Sequence, residues 1–300
     1  IVSDASKHTE KERAWIAIYY GQDRDPAKRL RLEQDRQTIV LFETQQTTEQ
    51  QITIVKYSEA EYAACGIVSI EITDEVNPGE EILLSPPVHK KRQIEFFGDS
   101  ITCGYGVEGD VSDEIFDAEP NLVSWNGKGV ITAYIGEEED AQIDDSWLMP
   151  MLYEYTDAGL ERDYFANEQS DWETWNFEEY KPQLVVIYLG TNDASYTRDI
   201  PDRQKQFEDA YVKLLHQVHE HNPNAAIITT IGAMDQRLNT TIDAATACFA
   251  KVTPDCTIRY VQLPLQDEVD GLGTYWHPTE KTNRKCARLI ADAAKEMLQW

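Results

Sequence analysis

The chain is 300 residues long, which is enough for two domains with a sizeable core. It contains 54 acidic and 27 basic residues, and the resulting net charge of −27 makes nucleic acid and anionic membranes unfavourable partners, whereas neutral sugar polymers are not repelled. No run of about 18 apolar residues occurs, so no membrane-spanning helix is predicted. We interpret the acidity as a source of solubility, with adaptation to salt as the alternative.

The N-terminus and the cysteines give little information about where the protein works. The sequence begins with Ile1 and contains no basic-then-apolar leader, so we expect any signal peptide to have been removed or to lie outside this sequence. The five cysteines are irregularly spaced, and their odd number argues against a disulfide framework or a zinc site. Cys248 and Cys256 are close enough in sequence to pair, which leaves one disulfide open.

The first 88 residues predict short strands and turns. Four segments are rich in β-branched and aromatic residues, at positions 15–20, 38–44, 51–57 and 67–73. In the last of them Ile70 and Ile72 alternate with polar residues, which is the period of a half-buried strand. No helical periodicity of comparable length intervenes, so residues 1–88 are predicted to form an antiparallel β-sandwich (jelly-roll) domain. A Ser85-Pro86-Pro87 break and a short polar connector follow.

Residues 89–300 alternate strand and helix signals. Candidate buried strands lie at 94–97, 122–125, 184–189, 225–231 and 258–263. Two amphipathic helices have apolar faces formed by Phe207, Tyr211, Leu214, Leu215 and Val218, and by Cys286, Leu289, Ile290, Ala293 and Met297. Five strands with crossover helices predict a three-layer α/β/α domain of flavodoxin-like type around a parallel sheet. Segment 109–121 lacks the apolar periodicity expected of the first crossover helix, so either that helix is lost or residues are missing.

Polar and glycine-rich blocks follow four of these strands, and ligands of a parallel sheet bind beyond the carboxyl ends of its strands. The blocks are Gly98-Asp99-Ser100, Ser124-Trp125-Asn126-Gly127-Lys128-Gly129, Gly190-Thr191-Asn192-Asp193 and Trp276-His277-Pro278. Each block alone is also explained by ordinary structure, such as a turn, a plain loop, a helix N-cap or an Asx-turn.

Together the blocks supply what nucleophilic catalysis requires. Ser100 would provide the hydroxyl and His277 the base. Negative charge would develop near the backbone of Gly127 or Gly129 and near the side-chain amide of Asn192, which are suitable oxyanion donors. His277 is the one histidine predicted at a strand-end loop of the sheet. The other histidines of this half are expected to be solvated, on or just past the first amphipathic helix: His216, His219 and His221.

The four blocks resemble those of the SGNH-hydrolase superfamily, also called the GDSL family. The resemblance is fuller to carbohydrate esterase family 2, whose first two blocks are similar to residues 94–106 (IEFFGDSITCGYG) and 124–130 (SWNGKGV). Enzymes of that family also place a β-sandwich before the SGNH hydrolase catalytic domain, so the resemblance covers nearly the whole chain. It implies a secreted or cell-surface serine esterase that removes O-acetyl groups from hemicellulose such as xylan or mannan, often at the sugar 6-position.

The resemblance also implies a mechanism. His277 would take the proton of Ser100, which attacks the acetyl carbonyl, and the oxyanion would be held by N–H groups of Ser100 and of Gly127 or Gly129 and by Asn192. No metal or other cofactor would be required. Acetylated hemicellulose or acetylated sugars would be the partners, with no nucleic acid and no membrane.

Three points stay open at this stage. Trp125 and Trp276 flank the blocks and are predicted either to stack on sugar faces or to pack in the core. SGNH enzymes usually carry an Asp three residues before the His, where this chain has Thr274. We therefore predict a Ser-His dyad whose His is oriented by a main-chain carbonyl, either near Thr274 or in the loop 232–234. The rival arrangement is a triad completed by Asp270 or Glu268.

Two other functions remain as alternatives. The first is an SGNH esterase for other short acyl esters, such as a short-chain lipid or a feruloyl sugar, although the chain lacks a long apolar lid, which disfavours lipids. The second is a polysaccharide-binding module with a residual esterase site, against which the intact Ser100, Asn192 and His277 argue.

Overall fold

The computed structural model describes residues 1–23, 25–46, 48–58, 63–72, 84–85, 87–104, 118–136, 138 and 142–300. The chain forms two compact units. The first contains Ile1–Val88 and Asp157–Trp172, and the second contains His89–Thr156 and Glu173–Trp300. Segment 157–172 carries no sequence signal that links it to the first unit. The division into a sandwich domain over 1–88 and a catalytic domain over 89–300 stays a prediction.

The described strands of the first unit form two small antiparallel sheets. Strand β1 (Val2–Ser3) pairs with β5 (Cys65–Gly66), and β2 (Trp15–Tyr20) lies between β3 (Lys28–Arg31) and β4 (Ile52–Lys56). The core of this unit is built from a few small and aliphatic side chains, namely Ala14, Ile16, Leu32 and Ala63. These sheets do not show a jelly-roll.

Two of the four strands predicted in this part form, at 15–20 and 52–56, and two predictions are wrong. Residues 38–44 contain no strand, and neither do residues 67–72, while residue 73 lies outside the described residues. Ile70 and Ile72 are 58% and 49% exposed, because alternation of apolar residues buries a face only where another layer covers it. Strand β3 was missed because its sequence, Lys-Arg-Leu-Arg, is mostly charged.

The second unit is built on a five-stranded parallel sheet, as predicted. Its strands are β6 (Arg92–Gly98), β7 (Ala118–Ser124), β8 (Leu184–Tyr188), β9 (Ala226–Ala233) and β10 (Ile258–Leu265). They lie in the order β7-β6-β8-β9-β10, and every neighbouring pair is parallel. The chain winds in opposite directions from β6, so β6 and β8 flank the topological switch point where ligands of such sheets bind.

Strand β7 begins four residues earlier than the predicted strand 122–125. The prediction missed this start because Glu119, Pro120 and Asn121 lack the apolar character of a buried strand. Pro120 is tolerated because β7 is an edge strand, where one side of the backbone needs no ladder partner. The crossover from β6 to β7 runs through residues 105–117, which lie outside the described residues.

Among the described residues, the α-helices of the second unit are α1 (Met149–Leu152), α2 (Ala194–Thr197), α3 (Pro201–His221), α4 (Asn239–Val252) and α5 (Glu280–Leu298). Thr229 on β9 is hydrogen-bonded to Thr246 on α4, whereas the next-door Ile228 packs in one cluster with Ile290 of α5. Successive strand residues point to opposite faces of a sheet, so α4 and α5 cover opposite faces. The three-layer α/β/α prediction is confirmed.

Both predicted amphipathic helices form. In α3 all five residues of the predicted apolar face are buried. In α5 three of the five are buried and Met297 packs against the core, but Leu289 is 42% exposed. The buried stripe of α5 is centred nearer Ile290 and Ala294, which leaves Leu289 at its margin. Cys248 on α4 and Cys256 beyond it do not form a disulfide.

His221, which the sequence predicts to be solvated, is half-buried at the end of α3. Its Nε2 lies 2.9 Å from Glu154, and its ring stacks on Phe177 with 3.7 Å between ring centroids. The prediction is wrong because tertiary structure covers the last turn of the helix. His216 is exposed, as expected.

The α3 face allows a direct test of the core. Leu215 is fully buried, so Leu215→Ala should lower the free energy of unfolding by about 2–5 kcal/mol, through lost apolar contact and the cavity left behind. Lys213 is an exposed neighbour on the same helix, and Lys213→Ala should change stability by no more than about 0.5 kcal/mol. Denaturant titration of both variants measures the difference, and equal stabilities would contradict this placement of α3.

Candidate functional site

Ser100 stands directly after β6, at the carboxyl end of the sheet, and is 5% exposed. The strand ends in Gly98 for a steric reason. A Cβ at this position would collide with the Thr102 side chain and lie 2.9 Å from the carbonyl oxygen of Tyr188. The turn is closed by the Ile101 N–H, which donates to the Asp99 carboxylate at 3.0 Å. The serine hydroxyl is therefore held at the switch point by a tightly packed turn.

His277 reaches Ser100 from the other end of the sequence. Its Nε2 lies 2.8 Å from the Ser100 Oγ, and its Nδ1 lies 3.1 Å from the carbonyl oxygen of Thr274. A carbonyl only accepts, so Nδ1 carries the proton and Nε2 is free to accept the serine proton. Burial lowers the pKa of His277, and the backbone hydrogen bonds of Thr274 and Tyr275 partly offset this effect.

The loop before His277 is a strained turn. The His277 N–H donates to the Thr274 carbonyl at 3.1 Å, and between them Tyr275 and Trp276 have φ values of 51° and 59°. This left-handed conformation costs a non-glycine residue about 1–2 kcal/mol. Gln266 supports the turn, because its Nε2 donates to the Trp276 carbonyl at 2.6 Å. The turn leaves the side chains of Tyr275 and Trp276 71% and 70% exposed.

The second block forms a turn followed by a buried segment. The Lys128 N–H donates to the Trp125 carbonyl at 3.4 Å, and Gly127 in this turn has a φ of +71°. A Cβ on Gly127 would meet nothing within 4 Å, whereas a Cβ on Gly129 would lie 2.7 Å from the Asp193 Cγ. Gly127 is thus required by its backbone conformation and Gly129 by packing. Trp125 is only 6% exposed.

The third block joins the first two. The Asn192 side chain is 7% exposed, and its Nδ2 donates to the Lys128 carbonyl at 2.9 Å. The same Nδ2 lies 3.3 Å from the Asp99 carboxylate. The neighbouring Asp193 accepts hydrogen bonds from three successive backbone N–H groups, those of Val130, Ile131 and Thr132.

Two fully buried carboxylates, Asp99 and Asp193, therefore lie next to Ser100 and Asn192 in sequence. Burial raises the pKa of Asp99 to about 7, and the charge of Asp193 adds to the rise. Burial also raises the pKa of Asp193, to about 6, while its backbone hydrogen bonds oppose the shift. Ionised Asp193 is the form that its three N–H donors stabilise.

The two acids considered as partners of His277 are engaged elsewhere or exposed. The Asp270 carboxylate pairs with Lys281 at 2.8 Å and with Lys285, and these two lysines lower its pKa. Glu268 is exposed. In the loop 232–234, the Ala233 carbonyl accepts from the Gln266 N–H at 2.8 Å.

The structure thus brings Ser100 and His277 into contact and links Asn192 to the second block. Sequence reasoning missed Gln266 and the left-handed turn, since nothing in their sequence marks them. Across the described residues, no cluster of three or more His, Cys, Asp or Glu side chains is placed to hold a metal ion. Within the same part of the chain, no helix has the length and apolar character needed to cross a membrane.

Two curated proteins are similar to this chain in sequence. The chain is 30% identical over 247 residues to the cellulase/esterase CelE of Acetivibrio thermocellus, a match that covers 74% of this chain but only 28% of CelE. It is 24% identical over 315 residues to an acetylxylan esterase / glucomannan deacetylase of Cellvibrio japonicus, covering 99% of this chain and 80% of that protein.

Solved structures share the fold. An acetyl xylan esterase from the rumen bacterium Butyrivibrio proteoclasticus superposes with a TM-score of 0.75 at 21% identity, over 96% of this chain and 84% of that one. A family two carbohydrate esterase from Clostridium thermocellum, solved with cellohexaose, gives a TM-score of 0.74 at 24% identity, over 96% and 87% of the two chains.

The sequence profile of the GDSL-like Lipase/Acylhydrolase family matches residues 96–285, a span that begins in β6 and ends in α5. All four blocks lie on or within this span, and the two that form the Ser-His contact come from its opposite ends. The resemblance predicted from the blocks is therefore confirmed, and the chain belongs to the GDSL-like lipase/acylhydrolase family.

Proposed function

We propose that this protein is a serine esterase that removes O-acetyl groups from plant cell-wall polysaccharide of the xylan or mannan type. The observation that carries the proposal is the 2.8 Å contact between the Ser100 Oγ and the His277 Nε2 at the switch point of the sheet. The relatives named acetylxylan esterase and glucomannan deacetylase support this choice of substrate. We also propose that the enzyme works outside the cell or at its surface, where plant cell-wall polysaccharide lies.

The reaction follows from the positions of the proton carriers. His277 accepts the Ser100 proton at Nε2 while the serine oxygen attacks the acetyl carbonyl. The imidazolium then gives that proton to the departing sugar oxygen, which leaves an acetyl-enzyme. Water, deprotonated by His277, attacks this intermediate, and acetate leaves as Ser100 regains its proton.

The oxyanion donors are the N–H groups of Ser100 and Gly127 and the side-chain amide of Asn192. Gly127 is favoured over Gly129 because space beside it is open, whereas Gly129 is enclosed by Asp193. The hydrogen bond from Asn192 to the Lys128 carbonyl holds the amide against the turn that contains Gly127. Donors fixed in this way need no reorganisation when the charge develops.

The base is oriented by a main-chain carbonyl, so the catalytic pair is a dyad. The Thr274 carbonyl fixes the Nδ1–H tautomer of His277 without adding a negative charge. A neutral partner stabilises the imidazolium less than a carboxylate does. The lowered pKa of His277 is consistent with that environment.

The sugar-binding surface includes the exposed Trp276, next to His277. Its ring is 70% exposed and can stack on a sugar face, whereas the buried Trp125 offers no such surface and packs in the core. Uncharged hemicellulose suits a chain with a net charge of −27, and nucleic acid and anionic membrane do not.

Replacement of the nucleophile tests the proposed function. Ser100→Ala should lower the rate of acetate release from acetylated xylan and from p-nitrophenyl acetate by at least about 10³-fold, because only oxyanion and binding effects remain. The exposed Ser146 provides a matched control, and Ser146→Ala should retain full activity. Acetate release from a panel of acetylated xylan, glucomannan and monosaccharide esters then separates polysaccharide deacetylation from hydrolysis of other short acyl esters. An unsubstituted protein that binds these polymers without releasing acetate would be a binding module instead.

Removal of the two nearby carboxylates tests the dyad. Asp270→Asn and Glu268→Gln should each leave kcat within a few-fold of the original value, because the Thr274 carbonyl lies at His277 Nδ1 while Asp270 pairs with Lys281. Loss of an orienting Asp would lower kcat by about 10⁴-fold. Steady-state kinetics of the two variants decide between these outcomes, and a drop of the larger size in either variant would establish a triad.

The lowered pKa of His277 predicts the acid limb of the pH profile. Neutral His277 is the active base, and burial keeps it neutral to lower pH than an exposed histidine. As pH falls, kcat/KM should therefore decline through an apparent pKa below the ordinary histidine value. A pH series of kcat/KM, with an NMR titration of His277, measures it. An apparent pKa above that value would indicate an acidic partner at Nδ1.

A further inference from the structure

Asp193 belongs to a sequence block whose Asn192 has a proposed role, but its own carboxylate has none in the mechanism above. It is fully buried. One oxygen, Oδ1, accepts from the N–H groups of Val130 at 3.0 Å, Ile131 at 2.7 Å and Thr132 at 3.2 Å. The other oxygen, Oδ2, also lies 3.0 Å from the Val130 nitrogen. Three consecutive N–H groups aimed at one anion form a preorganised anion site, here filled by a side chain.

These bonds fix the segment that carries the proposed oxyanion donors. Val130 follows Gly129 directly, and Asn192 holds the Lys128 carbonyl at 2.9 Å. The adjacent residues Asn192 and Asp193 therefore hydrogen-bond to the chain on both sides of Gly129. Gly129 must lack a side chain, because a Cβ would collide with the Asp193 carboxylate.

We infer that Asp193 is a positioning residue, whose carboxylate anchors residues 130–132 and thereby holds the Gly127 N–H and the Asn192 amide where the oxyanion forms. The inference rests on the proposed esterase function. Asp193 lies behind the donors and acts through them, so it does not touch the reacting atoms. Its effect should fall on the transition state, in which the oxyanion exists, and not on binding of the neutral ester.

The charge of Asp193 is part of this role. A carboxylate presents acceptors on both oxygens, whereas the amide of an asparagine would present an NH2 group on one side. Because the Val130 N–H is equidistant from both oxygens, an amide in either orientation places a donor against this donor. Asp193→Asn keeps one acceptor oxygen but removes the charge and sets an NH2 group against the Val130 N–H, so it weakens the anchor with little change in volume.

Glu95 offers a matched control. It is a second buried carboxylate of the same unit, on β6, and is 2% exposed. It accepts from the Tyr153 hydroxyl at 2.5 Å and from the Asn121 amide at 3.0 Å, and neither of these two partners belongs to the four blocks. Glu95→Gln should lower the stability of the fold without changing the site.

The experiment compares the two variants with the unsubstituted protein, normalised by active-site titration with a fluorophosphonate. For p-nitrophenyl acetate, Asp193→Asn should lower kcat by about 10²-fold, the effect of losing one oxyanion donor, with KM changed less than about three-fold. Its affinity for ethylboronic acid, which forms a tetrahedral adduct with serine, should weaken by a similar factor. Glu95→Gln should lower the melting temperature but keep kcat per titrated site.

Unchanged kcat and boronate affinity in Asp193→Asn would overturn the inference, as would an equal loss of kcat in Glu95→Gln. Should Asp193→Asn fail to fold, Asp193→Ser keeps one acceptor oxygen and should show the same selective loss of kcat. Hydrogen exchange supplies a measurement that does not depend on catalysis. The amides of residues 127–132 should exchange faster in the Asp193 variant, and unchanged exchange would also overturn the inference. An unsubstituted protein without esterase activity would instead refute the proposed function, and the exchange experiment would still decide whether Asp193 holds the segment.

Discussion

The hydrogen bond between His277 and Ser100 joins residues 177 positions apart, and the rest of the site is arranged around it. It can form because β6 and β8 are neighbours in a parallel sheet whose winding reverses between them. The loops at the carboxyl ends of several strands meet at that switch point. The steric demand at Gly98 fixes one end of the bond, and the strained turn of residues 274–277 fixes the other.

At the histidine end, the group that contacts the Nδ1 of His277 is a neutral main-chain carbonyl. Thr274 contributes its carbonyl to both the backbone N–H and the Nδ1 of His277. Two left-handed residues in succession, Tyr275 and Trp276, bring that carbonyl into position, and the Gln266 side chain supports the turn. Strain of this kind persists only where surrounding contacts determine the conformation. The same turn leaves the rings of Tyr275 and Trp276 exposed next to His277, so the contact at Nδ1 and the exposed aromatic surface arise from one backbone conformation.

The serine end depends on buried charge. Asp99 and Asp193 are both fully buried, and each raises the question of how a carboxylate is tolerated there. Asp193 is compensated by three backbone donors, and Asp99 by the Ile101 N–H and a longer contact with Asn192. Burial of polar groups is acceptable when their hydrogen bonds are satisfied, and such networks specify one conformation. In this protein the network ties Asn192 to the turn that contains Gly127, through the Lys128 carbonyl, and to Asp99, the neighbour of Ser100.

The sequence by itself determined the parallel sheet, the two long amphipathic helices and the four blocks, because apolar periodicity and strand-end chemistry are local properties. It also predicted that Ser100 and His277 lie together, since a parallel sheet brings its strand ends to one edge. Three things were decided only by tertiary structure. In the first 88 residues, β3 was missed because the charged segment Lys28–Arg31 pairs with β2. The strand predicted at 67–73 was wrong, and its Ile70 and Ile72 side chains are exposed. The group at the Nδ1 of His277 is a main-chain carbonyl. Every residue has such a carbonyl, so the sequence gives no signal of which one is used. The anchoring of residues 130–132 by Asp193 joins segments more than 60 positions apart, and only folding brings a carboxylate to those N–H groups.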